Sequence, residues 1–291
     1  MHRPPLPALL TFVAALAAAG VVLAAPKAPL APAAPLARPA DNDWRTPDPQ
    51  NILIIDTSKG RIVFELAPDV APLATARVRE LARAGFYDGR AFFRVIDNFM
   101  DQTGDPTDTG TGGSTKPDLV GEFAFRRGPE TPMVVVLKAA GREAGYVGGL
   151  PVISQTLDLG LLTADHKVSA YGTFCPGVGG MARAESPDSG NSQFYLMRVA
   201  TPNLDQKYTP FGRAIAGLEV IRAIKIGEPV AAPQDKMITV RVLADIPAAQ
   251  RPSVRVVDPK GAWFKAMADR VRAQKVVEFS ICDLDLPAEI K

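Results

Sequence analysis

Apolar and polar residues alternate, or run in short β-branched stretches, through most of the chain from Asn51 to Asp245. Asn51 to Asp56 and Arg61 to Leu66 read as strands joined by a turn at Ser58-Lys59-Gly60. Pro68-Asp69 opens a helix from about Ala71 to Ala84, with Leu73, Ala76, Val78 and Leu81 on its apolar face and Gly85 ending it. Phe92 to Ile96 reads as a strand with Phe92, Arg94 and Ile96 on one face and Phe93 and Val95 on the other. An arginine among large apolar residues is rarely buried alone, so Arg94 is either paired with a carboxylate or set at the edge of an apolar surface. Gln193 to Met197 alternates as a strand, with Gln193, Tyr195 and Met197 on one face. Phe211 to Ala216 reads as a strand, Leu218 to Ile226 as a short helix and Met237 to Asp245 as the last strand.

Ser114 to Pro176 is rich in β-branched residues, in Met133 to Leu137, Leu150 to Ile153 and Lys167 to Tyr171, and reads as one or two hairpins rather than disorder. Beyond Ile246, Ala262 to Val276 reads as a helix. Trp263, Met267 and Val271, spaced by four, form a face that docks onto the preceding domain. At the other end, His2 and Arg3 precede an apolar run from Ala8 to Leu23 that closes in small residues. This reads as a secretory signal over residues 1–24, cleaved after Ala24; the alternative is an uncleaved anchor, since the run is near the minimum for a membrane span. Prolines at 26, 29, 32, 35 and 39 mark residues 25–49 as a Pro/Ala-rich linker, either an extended rod or a plain spacer.

Composition narrows the chemistry. With 33 basic and 31 acidic residues the net charge is +2, and no basic block points to nucleic acid or an acidic membrane surface. Of two histidines, His2 falls in the segment expected to be removed, so His166 stands alone. A histidine-based triad or a multi-histidine metal site is therefore not expected, and no residue pattern calls for a metal or other cofactor. Cys175 and Cys282 form no CxxC pair. Export would place them in an oxidising compartment, where a disulfide between them is expected; the alternative is two buried thiols.

Several ordered motifs add a resemblance. Phe92 to Ile96 (F-x-R-V-I), Phe99 to Gln102 (F-M-x-Q), Gly104-Asp105 and the Gly/Thr-rich loop to Gly113 are followed by Gly180 to Ala184, Asn191 to Tyr195, Leu204-Asp205 and Phe211-Gly212. Over roughly Asn51 to Asp245 the chain resembles the cyclophilin family of peptidyl-prolyl isomerases. The resemblance implies a mainly β fold, a closed antiparallel β-barrel of about eight strands capped by helices. It places the isomerase domain at residues 50–246, with an insertion at 114–176 where the small bacterial members that it otherwise resembles have a much shorter connection, and a C-terminal extension at 247–291.

The implied activity needs no nucleophile. Rotation about a peptide bond has a barrier of about 18–20 kcal/mol, and an X-Pro bond interconverts over tens to hundreds of seconds. Catalysis needs the twisted amide bound more tightly than either planar form. The resemblance gives Arg94 the role of donating to the proline nitrogen as the bond twists. It places Phe99, Met100, Tyr195 and Leu204 around the proline ring, and Gln102 and Gln193 at positions that hydrogen-bond the substrate backbone or steady the arginine. Ala182 and Arg183 lie along the peptide, and Gly104 to Gly113 borders a second, shallow pocket. In common eukaryotic members the positions of Arg183, Asn203 and Tyr208 hold Asn, Trp and His; Tyr208 can still donate a hydrogen bond and pack on a proline. The expectation is a monomeric, periplasmic or secreted isomerase that acts on proline-containing polypeptides, with no nucleic-acid partner and no membrane contact after signal cleavage. The alternatives are a non-catalytic proline-peptide binding module of the cell envelope, or a structural envelope protein held by an uncleaved N-terminus.

Overall fold

Ile52-Leu53-Ile54-Ile55 is an apolar run with no polar alternate, and such a strand needs cover on both faces. The computed structural model, which describes residues 36–275 and 278–291, supplies both. Ile52 and Ile54 lie in one buried cluster, Leu53 and Ile55 in another. The expected secretory segment and the first part of the expected linker lie outside the described residues.

The elements run β1 (Trp44–Arg45), β2 (Ile52–Thr57), β3 (Gly60–Leu66), α1 (Pro72–Arg83), β4 (Arg94–Val95) and β5 (Met100–Thr103). Residues 114–176, the expected insertion, contribute β6 (Phe125–Arg127), β7 (Met133–Ala139), β8 (Arg142–Val147), β9 (Leu150–Gln155) and β10 (Val168–Gly172). Then come β11 (Val178–Met181), β12 (Phe194–Met197), β13 (Pro210–Ala216), α2 (Leu218–Ala223) and β14 (Met237–Val242). The tail holds β15 (Val254–Val257), α3 (Ala262–Gln274) and β16 (Ala288–Ile290). Eight strands form one antiparallel sheet in the order β14-β2-β3-β13-β11-β12-β5-β4. The sheet curls, and its end strands β14 and β4 share no ladder; a single bridge joins Ala91 to Lys236 beside them.

The inner cluster fills the concave side of this sheet with Phe64, Phe92, Phe194 and Phe211, and is covered by Ala74, Val78 and Leu81 of α1 and by Val220 and Ile221 of α2. Leu73 and Ala76, expected on the buried face of α1, are exposed; the face is turned toward Ala74, Val78 and Leu81. Ala74, Val78 and Leu81 are spaced i, i+4, i+7 and share one face, and packing that face into the inner cluster turns Leu73 and Ala76 outward. Pro72 occupies the first turn, and Ala71 offers no capping side chain. The Glu122 carboxylate, from the insertion, accepts the backbone N–H groups of Leu73 and Ala74 at 2.9 Å instead.

The insertion is more than one or two hairpins. Its strands form a five-stranded sheet in the order β6-β10-β9-β8-β7. Part of the expected linker is also built into the fold. Trp44 and Arg45 pair with Val257 and Val256, and β1-β15-β16 make a third sheet. Arg45 grips Glu65 of β3 through two hydrogen bonds of 2.6 and 2.7 Å, and Arg255 stacks 4.6 Å from the Trp44 ring. In α3 the docking face is centred on Phe264 and Ala268, which are buried, with Trp263, Met267 and Val271 half-buried beside them. These pieces cover the outer face of the curled sheet, and Tyr146 of β8 meets Phe264 edge-on at 5.9 Å inside the outer cluster.

Candidate functional site

β4 is only two residues long, and the alternation expected through Phe92 to Ile96 breaks at Phe93. Phe92 and Val95 belong to the inner cluster, while Ile96 packs on the outer one. The break leaves Arg94 opposite Gln102 on β5. Gln102 in turn faces Tyr195 on β12, and Tyr195 faces Gly180 on β11. Directly opposed residues of an antiparallel pair share a face. Arg94, Gln102, Tyr195 and Gly180 therefore form one row across four strands, although they come from distant parts of the chain.

Hydrogen bonds run along this row. Arg94 Nη1 donates to Gln102 Oε1 at 3.3 Å, and Gln102 Nε2 donates to Gln193 Oε1 at 3.0 Å. Gln193 Nε2 donates to the carbonyls of Gly110 and Gly112 at 3.1 and 2.7 Å, so the relay ends on the Gly/Thr-rich loop. That loop is wrapped around Asp105, whose carboxylate accepts backbone N–H groups from Thr107, Thr109, Gly110 and Gly112. Burial pushes the Asp105 carboxyl up, but these hydrogen bonds outweigh it and hold it below its ordinary value. Both readings kept open for Arg94 hold together: its side chain is half-exposed at the rim of an apolar surface, and Nε donates to Glu228 at 2.6 Å. Glu228 escaped the sequence reading. It lies on the connection after α2, beside Gly227, whose backbone exchanges two hydrogen bonds with Val95.

The residues expected around a proline ring do come together. Met100 and Tyr195 are buried in the outer cluster, and Phe99, Ala182, Leu204 and Tyr208 pack against it, half-exposed. Tyr195 lies 5.9 Å from Phe174 and 5.9 Å from Tyr208, the latter edge-on at 82°. Burial pushes the Tyr195 hydroxyl well above its ordinary pKa, and the hydroxyl has no protein hydrogen-bond partner among the described residues. Phe174, another residue the sequence reading missed, sits in the insertion where no motif marks it. Arg183 is turned back onto the protein: its guanidinium stacks 4.6 Å from the Tyr208 ring and donates to the carbonyls of Lys207, Ala184 and Glu185. Between the Gly/Thr-rich loop and Ala182, Arg183 and Asn191 lies a cavity of about 350 Å³, where the second, shallow pocket was expected. Beneath Gln102, Asp101 points the other way, fully buried, and pairs with Arg198 at 3.0 Å. Burial pushes this carboxyl up to about 7, against the pull of Arg198.

Gly180 makes the close packing possible. A Cβ there would stand 2.5 Å from the Tyr195 ring and 2.7 Å from Phe174. Gly180→Ala is therefore expected to push the Tyr195 ring off its seat, at a cost of about 1–3 kcal/mol in stability. It should also raise KM for a proline tetrapeptide severalfold. Urea titration and a KM measurement on the folded variant check this; an unchanged KM would separate Gly180 from the pocket.

Among known proteins, the family model described as cyclophilin type peptidyl-prolyl cis-trans isomerase/CLD matches residues 52–243. A probable peptidyl-prolyl cis-trans isomerase of Brucella suis is 31% identical over 191 residues, which is 62% of this chain and 74% of that protein. The peptidyl-prolyl cis-trans isomerase-like 1 protein of Rhizopus delemar is 35% identical over 171 residues, 58% of this chain and 77% of that one. The crystal structure of cyclophilin AquaCyp293 from Hirschia baltica superposes with a TM-score of 0.78 at 34% identity, covering 85% of this chain and 93% of that one. This likeness reaches beyond the family model and so takes in flanking segments. Fold and relatives together define a prolyl isomerase with a mainly β architecture and few helices. The chain belongs to the cyclophilin-type peptidyl-prolyl cis-trans isomerase family.

Proposed function

We propose that this isomerase turns over X-Pro bonds of exported polypeptides as a monomeric folding catalyst, in the periplasm or outside the cell. The observation that carries the catalytic part is the relay that fixes Arg94 beside the Tyr195 pocket. In this reading the proline ring enters among Phe99, Met100, Tyr195 and Leu204, with Tyr208 and Ala182 at its rim. The Arg94 guanidinium donates to the proline nitrogen only as the bond twists and the nitrogen gains a lone pair, which is the differential binding that catalysis requires. Gln102 and Gln193 hold the guanidinium and offer groups to the substrate backbone, and the face of Arg183 flanks the peptide. The same reading takes the curled sheet as a closed barrel. Its support is the pair of backbone hydrogen bonds that Phe92 N donates to the Asp235 carbonyl and Met237 N donates to the Arg90 carbonyl, across the gap between the end strands.

Export is supported by the cationic start and apolar run of residues 1–24. The disulfide between Cys175 and Cys282 supports it too, because such bonds persist in oxidising compartments. Expression of the full chain in a bacterial host, followed by fractionation and mass spectrometry of the N-terminus, tests this. A chain beginning at Ala25 in the periplasm or medium is the expected result. An unprocessed chain in the cytoplasm overturns the export reading, and an unprocessed chain in the membrane fraction favours the anchor.

A further inference from the structure

A cavity of about 740 Å³ lies apart from the proline site. It is a groove between the insertion sheet, the C-terminal tail and the turn at Pro202–Leu204. Its apolar lining includes Leu137 and Ile153 of the insertion and Phe279 of the tail. Residues adjacent in sequence line the groove and pack on the proline pocket in two places. Phe174 packs on Tyr195 in the pocket, while its neighbour Thr173 lines the groove. Leu204 packs on the pocket cluster, while its neighbours Asn203 and Asp205 line the groove. Asp205 ties the two walls together by accepting from Thr173 Oγ1 at 2.8 Å and from Phe174 N at 3.0 Å.

We infer that this groove is an extended subsite for the polypeptide whose proline occupies the neighbouring pocket, and that it takes an unfolded segment carrying apolar and acidic side chains. The inference rests on the isomerase reading of that pocket. A chain leaving the proline pocket past Leu204 meets the groove at Asn203 and Asp205. Charge decides the preference for acidic residues. Glu143 is taken up by Arg127 and Lys138, and Arg272 by Asp269. Arg142 and Lys207, like Asp205 and Glu278, are left without an ion-pair partner among the described residues; over the lining as a whole, Lys138, Arg142, Lys207 and Arg272 outnumber Glu143, Asp205 and Glu278 by one positive charge. A few residues of extended chain, at about 3.3 Å each, fill a groove of this size.

The test compares an Ala-Pro tetrapeptide with twelve-residue peptides that extend it on either side by leucine and glutamate. Turnover is followed by NMR exchange and binding by fluorescence anisotropy. In the wild-type protein, extension on one of the two sides is expected to tighten binding about tenfold, and exchange of glutamate for lysine to abolish most of the gain. Arg142→Glu and Ala139→Trp, which reverse a charge and narrow the groove, should remove the advantage of the long peptide while leaving tetrapeptide turnover within twofold. Ala139→Trp alone suffices if the charge reversal unfolds the hairpin. A wild-type protein that binds long and short peptides equally, or an advantage that survives both variants, overturns the inference. Failure of the isomerase reading looks different: the wild-type protein would not turn over the tetrapeptide, while anisotropy would still report on the groove.

Discussion

Arg94→Ala is expected to lower kcat/KM on a proline tetrapeptide by one to two orders of magnitude, about 1.4–2.7 kcal/mol of transition-state stabilisation, in a protein that remains folded. The magnitude follows from the bond at stake. A hydrogen bond to a charged group is worth about 1.5–3 kcal/mol, and this one forms fully only when the proline nitrogen pyramidalises. Glu228 and Gln102 take Nε and one Nη1 proton, and the remaining N–H groups have no protein partner among the described residues. The fold should survive because the side chain is half-exposed and its ion pair with Glu228 lies in solvent, where such pairs contribute little. Arg94→Lys separates charge from geometry: lysine keeps the cation but cannot reach Glu228 and Gln102 as a planar fork. Its activity should lie nearer to alanine than to wild type. A folded Arg94→Ala protein with unchanged turnover would remove Arg94 from the mechanism and leave only a proline-binding pocket.

How far the sequence reveals this site depends on where each residue's partner lies. Arg94, Gln102, Gln193 and Tyr195 are legible because they sit inside short ordered motifs, and the register of β4, β5 and β12 turns that order into a row. Glu228 and Phe174 carry no motif; each is recruited by a contact across the chain, Glu228 by the Val95–Gly227 bridge and Phe174 by the Tyr195 ring. The fold divides in the same way. The apolar run of β2 marks a strand, but not that its second face is covered by the insertion and the tail. The strand at Trp44 follows a proline-rich stretch and is two residues long, so nothing local distinguishes it from linker; its partner is Val257, near the other end of the chain. Local periodicity offers Leu73 and Ala76 as well as Ala74 for the buried face of α1, and packing against the inner cluster selects Ala74 with Val78 and Leu81.

Loss of the Cys175–Cys282 disulfide, by reduction or by Cys282→Ser, is expected to destabilise the protein by about 2–4 kcal/mol and to loosen the tail before the curled sheet unfolds. The two cysteines are 107 residues apart, with Cα atoms separated by 5.0 Å. In the chain-entropy model a closed loop of about 100 residues stabilises by ~4.7 kcal/mol, which sets the ceiling. The tail keeps other anchors after reduction. Asp285 pairs with Arg213 of β13 at 3.0 Å, Tyr146 donates to the Leu284 carbonyl at 3.3 Å, and Phe264 stays in the outer cluster. These contacts hold part of the tail in place and bring the expected loss below the ceiling. Cys175 is buried next to Phe174, which packs on Tyr195, whereas Cys282 lines the groove. Cys282→Ser should therefore leave tetrapeptide turnover near wild type and weaken binding of the long peptides. Urea titrations of the oxidised, reduced and Cys282→Ser proteins measure the stability, and limited proteolysis finds the first cleavage. Equal midpoints in all three, or first cleavage within β2 to β5, would show that the tail is held by its packing alone.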